Sequence, residues 1–333
     1  MRYLRNIFYI FIFSAIISSC EDIMELDTKD LESKMVVYSY LTNEDSVVVV
    51  VSSSYSIFGD NKTPRDSIKP QVMVSINDSD YQKMTRDDSY NTYSIAFPTH
   101  IGPILTDPYA KTFLYKYTPQ SGDKLSFIIE DLFTGTTLTA ETIIPAKPQF
   151  EIEVSRIDTV YYDSTPPLRN MKDYYSLTLK CTIHNIDQEN NFYIIDYVDY
   201  HEHKSFKNIY SSDPIFEDDG FSGIGYSDAY FNDNYFSDSD YTFEFTIDNR
   251  DNSRVEMEDG IYTIVLGSVR LIQLSEEMYL YFKSTYNALR SYNDIFAQPL
   301  KLYTNIKGDG YGFVGGAYHS YSDTLKYILK CKK

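Results

Sequence analysis

The 333-residue sequence has no tryptophan, three cysteines and five histidines. It carries 30 Lys and Arg against 48 Asp and Glu, a formal charge of -18. That shortage of basic charge excludes the positive footprint needed to hold nucleic acid. It also argues against lying flat on anionic lipid. The first apolar run, Ile7 to Ile17, is interrupted at Ser14. It is too short for a membrane-spanning helix, which needs about 20 apolar residues. What is abundant is aromatic: 33 Tyr and 20 Phe. Aromatic and β-branched residues favour strands, and tyrosine-rich surfaces suit ligands.

The N-terminus has the order of a secretory signal peptide over residues 1–19. Arg2 and Arg5 supply charge, Ile7 to Ile17 the apolar core, and Ile17-Ser18-Ser19-Cys20 the small residues at the cut. The last four residues resemble the bacterial lipobox, which implies lipidation of Cys20 and a palmitate-type membrane anchor; two or more chains make such an anchor stable. Glu21 and Asp22 resemble an export signal that sends lipoproteins of Bacteroidota to the cell surface. Residues 20–34 then read as a polar tether. Two further cysteines, Cys181 and Cys331, could pair in an oxidising compartment.

From residue 35 the chain reads as mainly β. Short β-branched runs alternate with turn signals: Met35–Leu41, Ser46–Ser52, Gln71–Ile76, Tyr90–Phe97, Lys124–Asp131 and Thr137–Ile144. This predicts an immunoglobulin-like β-sandwich over 35–148, closed by Pro145-Ala146-Lys147-Pro148. The five valines 47–51 are apolar on both faces and should lie inside a sandwich. A second β-sandwich or barrel is expected over 149–333, with strands Ile152–Val160, Tyr174–His184, Asn191–His201, Tyr241–Ile247 and Gly260–Gln273. Leu177, Leu179, Cys181 and Ile183 alternate with polar residues, so one face of that strand is buried. One helix is expected near 275–296, with Ser275 as N-cap, Glu276 and Glu277 in the first turn, and a stripe of Met278, Tyr281, Phe282, Thr285, Leu289 and Tyr292.

This order of features resembles a Bacteroidota envelope lipoprotein family, domain of unknown function 4249. The likeness rests on Cys20, Lys34-Met35-Val36-Val37-Tyr38 and the Ile143-Ile144-Pro145 junction. It continues through Phe231-Asn232-Asp233, the helix start Ser275-Glu276-Glu277-Met278-Tyr279, and Asn305 to Phe313. The resemblance implies an outer-membrane, lipid-anchored protein acting beside a TonB-dependent transporter, with no known activity.

Several partial chemical motifs are present. Gly310-Tyr311-Gly312-Phe313-Val314-Gly315 has the letters of a dinucleotide fingerprint but no helix or acid follows at the required distance. Those glycines read instead as a tight irregular turn, and no cofactor is expected. Gly220-Phe221-Ser222-Gly223 falls short of a nucleophile elbow. His201 and His203, two apart on a strand, share a face and could reach one metal ion, with Asp213, Glu217, Asp218 or Asp219 as a third ligand. The acidic, aromatic stretch 213–240 is the favoured ligand or partner site, through Tyr226, Tyr230, Phe231, Asp233, Tyr235 and Phe236. The expected function is therefore non-catalytic capture or docking. Alternatives are a structural or adhesive envelope component, or a hydrolase using the 213–240 loop.

Overall fold

The computed structural model describes residues 33–54, 68–87, 110–160, 174–184, 190–199, 209–216, 229–236, 240–250, 254–258, 261–291 and 301–330. The first strands are β1 (Met35–Thr42), β2 (Val47–Ser53), β3 (Pro70–Ile76), β4 (Gln82–Lys83), β5 (Thr85–Arg86) and β6 (Lys111–Tyr115). β7 (Lys124–Asp131), β8 (Thr137–Ile143), β9 (Gln149–Val160), β10 (Tyr174–His184), β11 (Phe192–Asp199) and β12 (Ile209–Tyr210) follow. The last are β13 (Ala229–Asn232), β14 (Tyr241–Arg250), β15 (Arg254–Glu258), β16 (Ile261–Leu274), β17 (Gly310–Tyr321) and β18 (Leu325–Lys330). Helix α1 (Glu276–Ser291) stands between β16 and β17. The protein is thus mainly β with a single α-helix among the described residues. The strand expected at Tyr90–Phe97, the leader 1–19 and the lipidation candidate Cys20 lie outside those residues.

The central sheet runs β13-β11-β16-β17-β1-β2-β6-β5, with β15 and β18 also paired to β16. Two four-stranded sheets, β12-β14-β10-β9 and β4-β3-β7-β8, accompany it. Because successive strand residues face opposite ways, the central sheet feeds three cores. Ile195 and Leu271 meet Leu177, Phe243 and Ile247 of the first small sheet. Val37, Val49 and Val314 meet Val72, Leu125 and Leu138 of the second. Ile194, Ile272, Phe313 and Ala317 point the other way, onto Met278, Tyr281 and Phe282 of α1. Each small sheet therefore covers one end of one face, and the helix covers the other face.

The local patterns explain these placements. β2 sits between β1 and β6, so both faces of its valines are buried, as an unbroken apolar run requires. Leu177, Leu179, Cys181 and Ile183 are each fully buried on the alternating face of β10. In α1 the stripe Met278, Tyr281, Phe282 and Thr285 is buried. Tyr281 stacks on Phe313 with ring centroids 3.9 Å apart. Full burial of side chains this size stabilises by about 1.5–3 kcal/mol each.

The glycines 310–316 do not make the expected turn. They belong to β17, which pairs parallel with β1 and antiparallel with β16. Gly312, at φ 112°, lies opposite Val37, and a Cβ there would sit 1.8 Å from the Val37 carbonyl oxygen. Glycine is needed here for close backbone approach inside a strand. Through this pairing, strands from both sides of the 145–148 segment share the central sheet, and the described residues from Lys34 onward form one compact unit.

Candidate functional site

A cleft of about 500 Å³ opens where β16 ends and α1 begins. Its walls come from β7 and β8, from Ile143 to Pro145, and from Asn190 and Asn191 just before β11. The helix start is held rigidly. The Ser275 N–H donates to the Gly316 carbonyl at 2.8 Å, and Ser275 Oγ accepts from the N–H of Gly316 at 3.2 Å and of Met278 at 3.4 Å. Gly316 in turn fits tightly on β8, because a Cβ there would lie 2.8 Å from the Ile143 carbonyl oxygen. Ser275 is thus the expected N-cap, and it also joins the helix to β17.

Two wall residues, Gln273 and Asn191, form a chain of polar side chains with Asp233. Asn191 Nδ2 donates to Asp233 Oδ2 at 2.8 Å, and Gln273 Nε2 donates to Asn191 Oδ1 at 2.7 Å. The direction is dictated from one end: an ionised carboxylate only accepts, so Asn191 turns its amide nitrogen to Asp233 and its oxygen to Gln273. Gln273 must then use its nitrogen, which leaves Oε1 over. Gln273 and Asn191 are 2% and 4% exposed, and Gln273 Oε1, itself closed off from solvent, has no hydrogen-bond partner among the described residues. Buried polar atoms are nearly always paired, so a buried unpaired acceptor on a residue of the cleft wall is an unusual feature.

Acidic groups dominate the remaining polar lining. Glu141, Glu276 and Glu277 line the cleft together with Lys124. A hydrogen bond from Lys307 Nζ, at 3.0 Å, and its charge hold the Glu141 carboxyl below its ordinary pKa. Lys124 Nζ lies 2.9 Å from Asp78 Oδ1, which raises its pKa.

The favoured aromatics from 213–240 are structural where they are described. Phe231 is buried, stacked on Tyr193 at 5.2 Å. Tyr230, its neighbour on β13, is buried on the opposite face, edge-on to Phe282 at 6.2 Å. Phe236 stacks on Tyr241 at 4.9 Å. These rings fill cores on both faces of β13, because a strand at the end of the sheet is here covered on two sides. Tyr230 and Phe231 are thus buried, and Phe236 is partly buried. Asp233 does not line the cleft; it accepts from Asn191, which does. Tyr226, His201, His203 and Cys331 lie outside the described residues, as does the Tyr235 side chain. Cys181 carries a free buried thiol, whose pKa burial pushes up. Among the described residues no group of three or more His, Cys, Asp or Glu side chains is placed to hold a metal ion. No described helix is long and apolar enough to cross a membrane.

Sequence reasoning missed Gln273 and Asn191, although a signal was present. Arg270 and Gln273 interrupt the apolar run of β16, and Asp196 interrupts that of β11. A polar residue inside an apolar strand must find a buried partner. Arg270 and Asp196 find each other, Nε to Oδ1 at 3.0 Å with a second bond from Nη2 to Oδ2, on the helix-covered face. Burial opposes the Arg270 charge, but Asp196 outweighs it and raises the guanidinium pKa.

The segments that line or support the cleft include three by which the family resemblance was drawn: Ile143 to Pro145, Asn232-Asp233 and Ser275 to Glu277. The chain matches the family described as Domain of unknown function (DUF4249) over residues 21–322, and it belongs to that family. No curated protein matches it.

Proposed function

We propose that this is a non-catalytic envelope lipoprotein of Bacteroidota, anchored through Cys20 at the outer membrane, that captures a small polar ligand beside a TonB-dependent transporter. The observation that carries the capture reading is the cleft wall, where the chain from Asp233 through Asn191 orients the amide of Gln273. A preformed recess with a few fixed polar groups is the usual form of a ligand site. Its described lining holds no histidine or cysteine, and its one serine oxygen is engaged as a helix cap. Catalysis by a nucleophile–base pair would need a base within hydrogen-bond reach. Binding is the better fit.

The anchor and the partner are tested together by crosslinking the full-length chain in native membranes and purifying it beside Cys20→Ser. The lipidated form should stay with membranes and bring down a β-barrel transporter, and Cys20→Ser should do neither. Recovery of the lipidated form with no barrel would overturn docking and favour a free-standing adhesive or structural role.

A further inference from the structure

We propose that the turn between β7 and β8, through Leu132 and Phe133, contacts the lipid surface to which the chain is tethered; this goes beyond the anchored reading and rests on it. Hairpin tips normally carry glycine and small polar residues. Here Phe133 is 79% and Leu132 50% exposed. The turn that presents them is fixed. Buried Asp131 accepts with one carboxylate oxygen from the N–H of Lys69 at 2.7 Å and of Phe133 at 3.1 Å, and with the other from the Thr134 hydroxyl at 2.8 Å. The Leu132 N–H donates to the Lys69 carbonyl at 3.0 Å, and the Gly135 N–H to the Asp131 carbonyl at 2.8 Å. Residues 132–137 carry no charge, in a chain whose formal balance is -18. The carboxylate at the base of the turn is thus enclosed, and the residue bonded beside it is the exposed Lys69.

Two lines of contact place this tip at the end of the molecule where the tether joins β1. Met35 pairs with Gly310, where an added Cβ would lie 2.5 Å from Leu138 Cδ1, and Leu138 and Thr137 pair with Ile129 and Glu130 just before the tip. On the other side, Met35 pairs with Ser53 and Val51 with Lys111, whose ammonium donates to the Ile68 carbonyl next to Lys69. At the same end the Lys34 ammonium lies 5.5 Å from the centre of the half-exposed Tyr311 ring. Tyrosine and lysine suit the lipid–water boundary, with an apolar body and a polar tip. The thirteen residues 21–33 reach at most about 45 Å from Cys20, so the tether keeps this end near the membrane. A stable protein interface buries about 800 Å² on each side, whereas a lipid surface accepts two side chains on a tip without shape matching. Net acidity opposes approach to anionic lipid, but an uncharged tip enters a zwitterionic surface. The cleft lies at the opposite end of the same hairpin, beside Lys124 where β7 begins and Ile143 where β8 ends, about 25 Å away. Lipid contact at the tip therefore holds the cleft away from the membrane.

The chain has no tryptophan, so Phe133→Trp introduces a single reporter. The full-length lipidated protein carrying it is reconstituted on phosphatidylcholine vesicles with and without brominated acyl chains. Its emission should move to shorter wavelength on the vesicles and be quenched by the bromine. Tyr81→Trp, at an exposed position just before β4 and toward the cleft end of β3, should show neither change. Leu132→Asp added to Phe133→Trp should abolish both signals while circular dichroism shows the fold retained. Flotation of the same vesicles reads the tether separately. Flotation of the Phe133→Trp protein without quenching would overturn lipid contact and leave the anchored reading standing, whereas failure to float would overturn both. Equal quenching at positions 133 and 81 would overturn orientation by the tip. A shift that grows with protein concentration in the absence of vesicles would assign the tip to a second copy of the chain and overturn lipid contact.

Discussion

Glu44 Oε2 lies 2.7 Å from His319 Nδ1, a contact that ties the β1–β2 turn to β17 across 275 positions of chain. Tyr40 Oη meets the other ring nitrogen of His319 at 2.8 Å. Burial alone would raise the Glu44 pKa, but hydrogen bonds from His319 and Tyr321, with the charges of His319 and Arg270, bring it down to about 2 from 4.5. The unfolded chain therefore binds more protons than the folded one between these values. The stabilisation is fully present above about pH 4.5 and is lost as pH falls toward about 2. With the Glu44 side chain 37% exposed, solvent screening limits the contribution to about 1 kcal/mol. Urea midpoints at about pH 6 and pH 3 should differ less in Glu44→Gln than in the wild type. An unchanged difference would refute the assignment.

The Arg270–Asp196 pair should be far more sensitive to half-removal than to replacement. Asp196→Ala leaves a buried guanidinium without its partner and should cost about 3–5 kcal/mol in urea unfolding. The double variant Arg270→Met with Asp196→Leu should recover a large part of that loss. Equal destabilisation by both variants would show that the pair matters for packing and not for charge.

Gly312→Ala should break the parallel pairing of β1 with β17. Its φ of 112° and the Val37 carbonyl leave no room for a Cβ, and a loss of about 3 kcal/mol or more is expected. Gly122 also has positive φ but nothing within 4 Å of an added Cβ. Gly122→Ala should cost only about 1 kcal/mol. Thermal unfolding of the two variants side by side separates steric conflict from backbone strain.

Phe313→Ala removes the ring that stacks on Tyr281 and meets Tyr38 edge-on at 6.0 Å. Truncation of a fully buried aromatic should cost about 3–5 kcal/mol. Because this core lies under α1, hydrogen exchange should show helix amides losing protection while β10 and β14 keep theirs. Uniform loss across the sheets would mean that the helix is not a separable unit.

Several elements were legible in local sequence. Alternation in β10, the valine run of β2 and the Ser275-Glu276-Glu277 start of α1 are local patterns, set by the two-residue and 3.6-residue periods of strand and helix. The family membership was legible in short segments for the same reason. Which residues meet was decided only by tertiary structure. Asn191, Asp233 and Gln273 are separated by 42 and 82 positions, and only the pairing of β11 with β13 and β16 brings them together. Tyr230 and Phe231 read as surface candidates because they lie among acids in a stretch that looked like a long loop. Burial on both faces of β13 came from a helix and a second sheet far along the chain. The glycines of β17 read as a turn until β1 lay beside them, because close backbone approach depends on a neighbour that no local period reports.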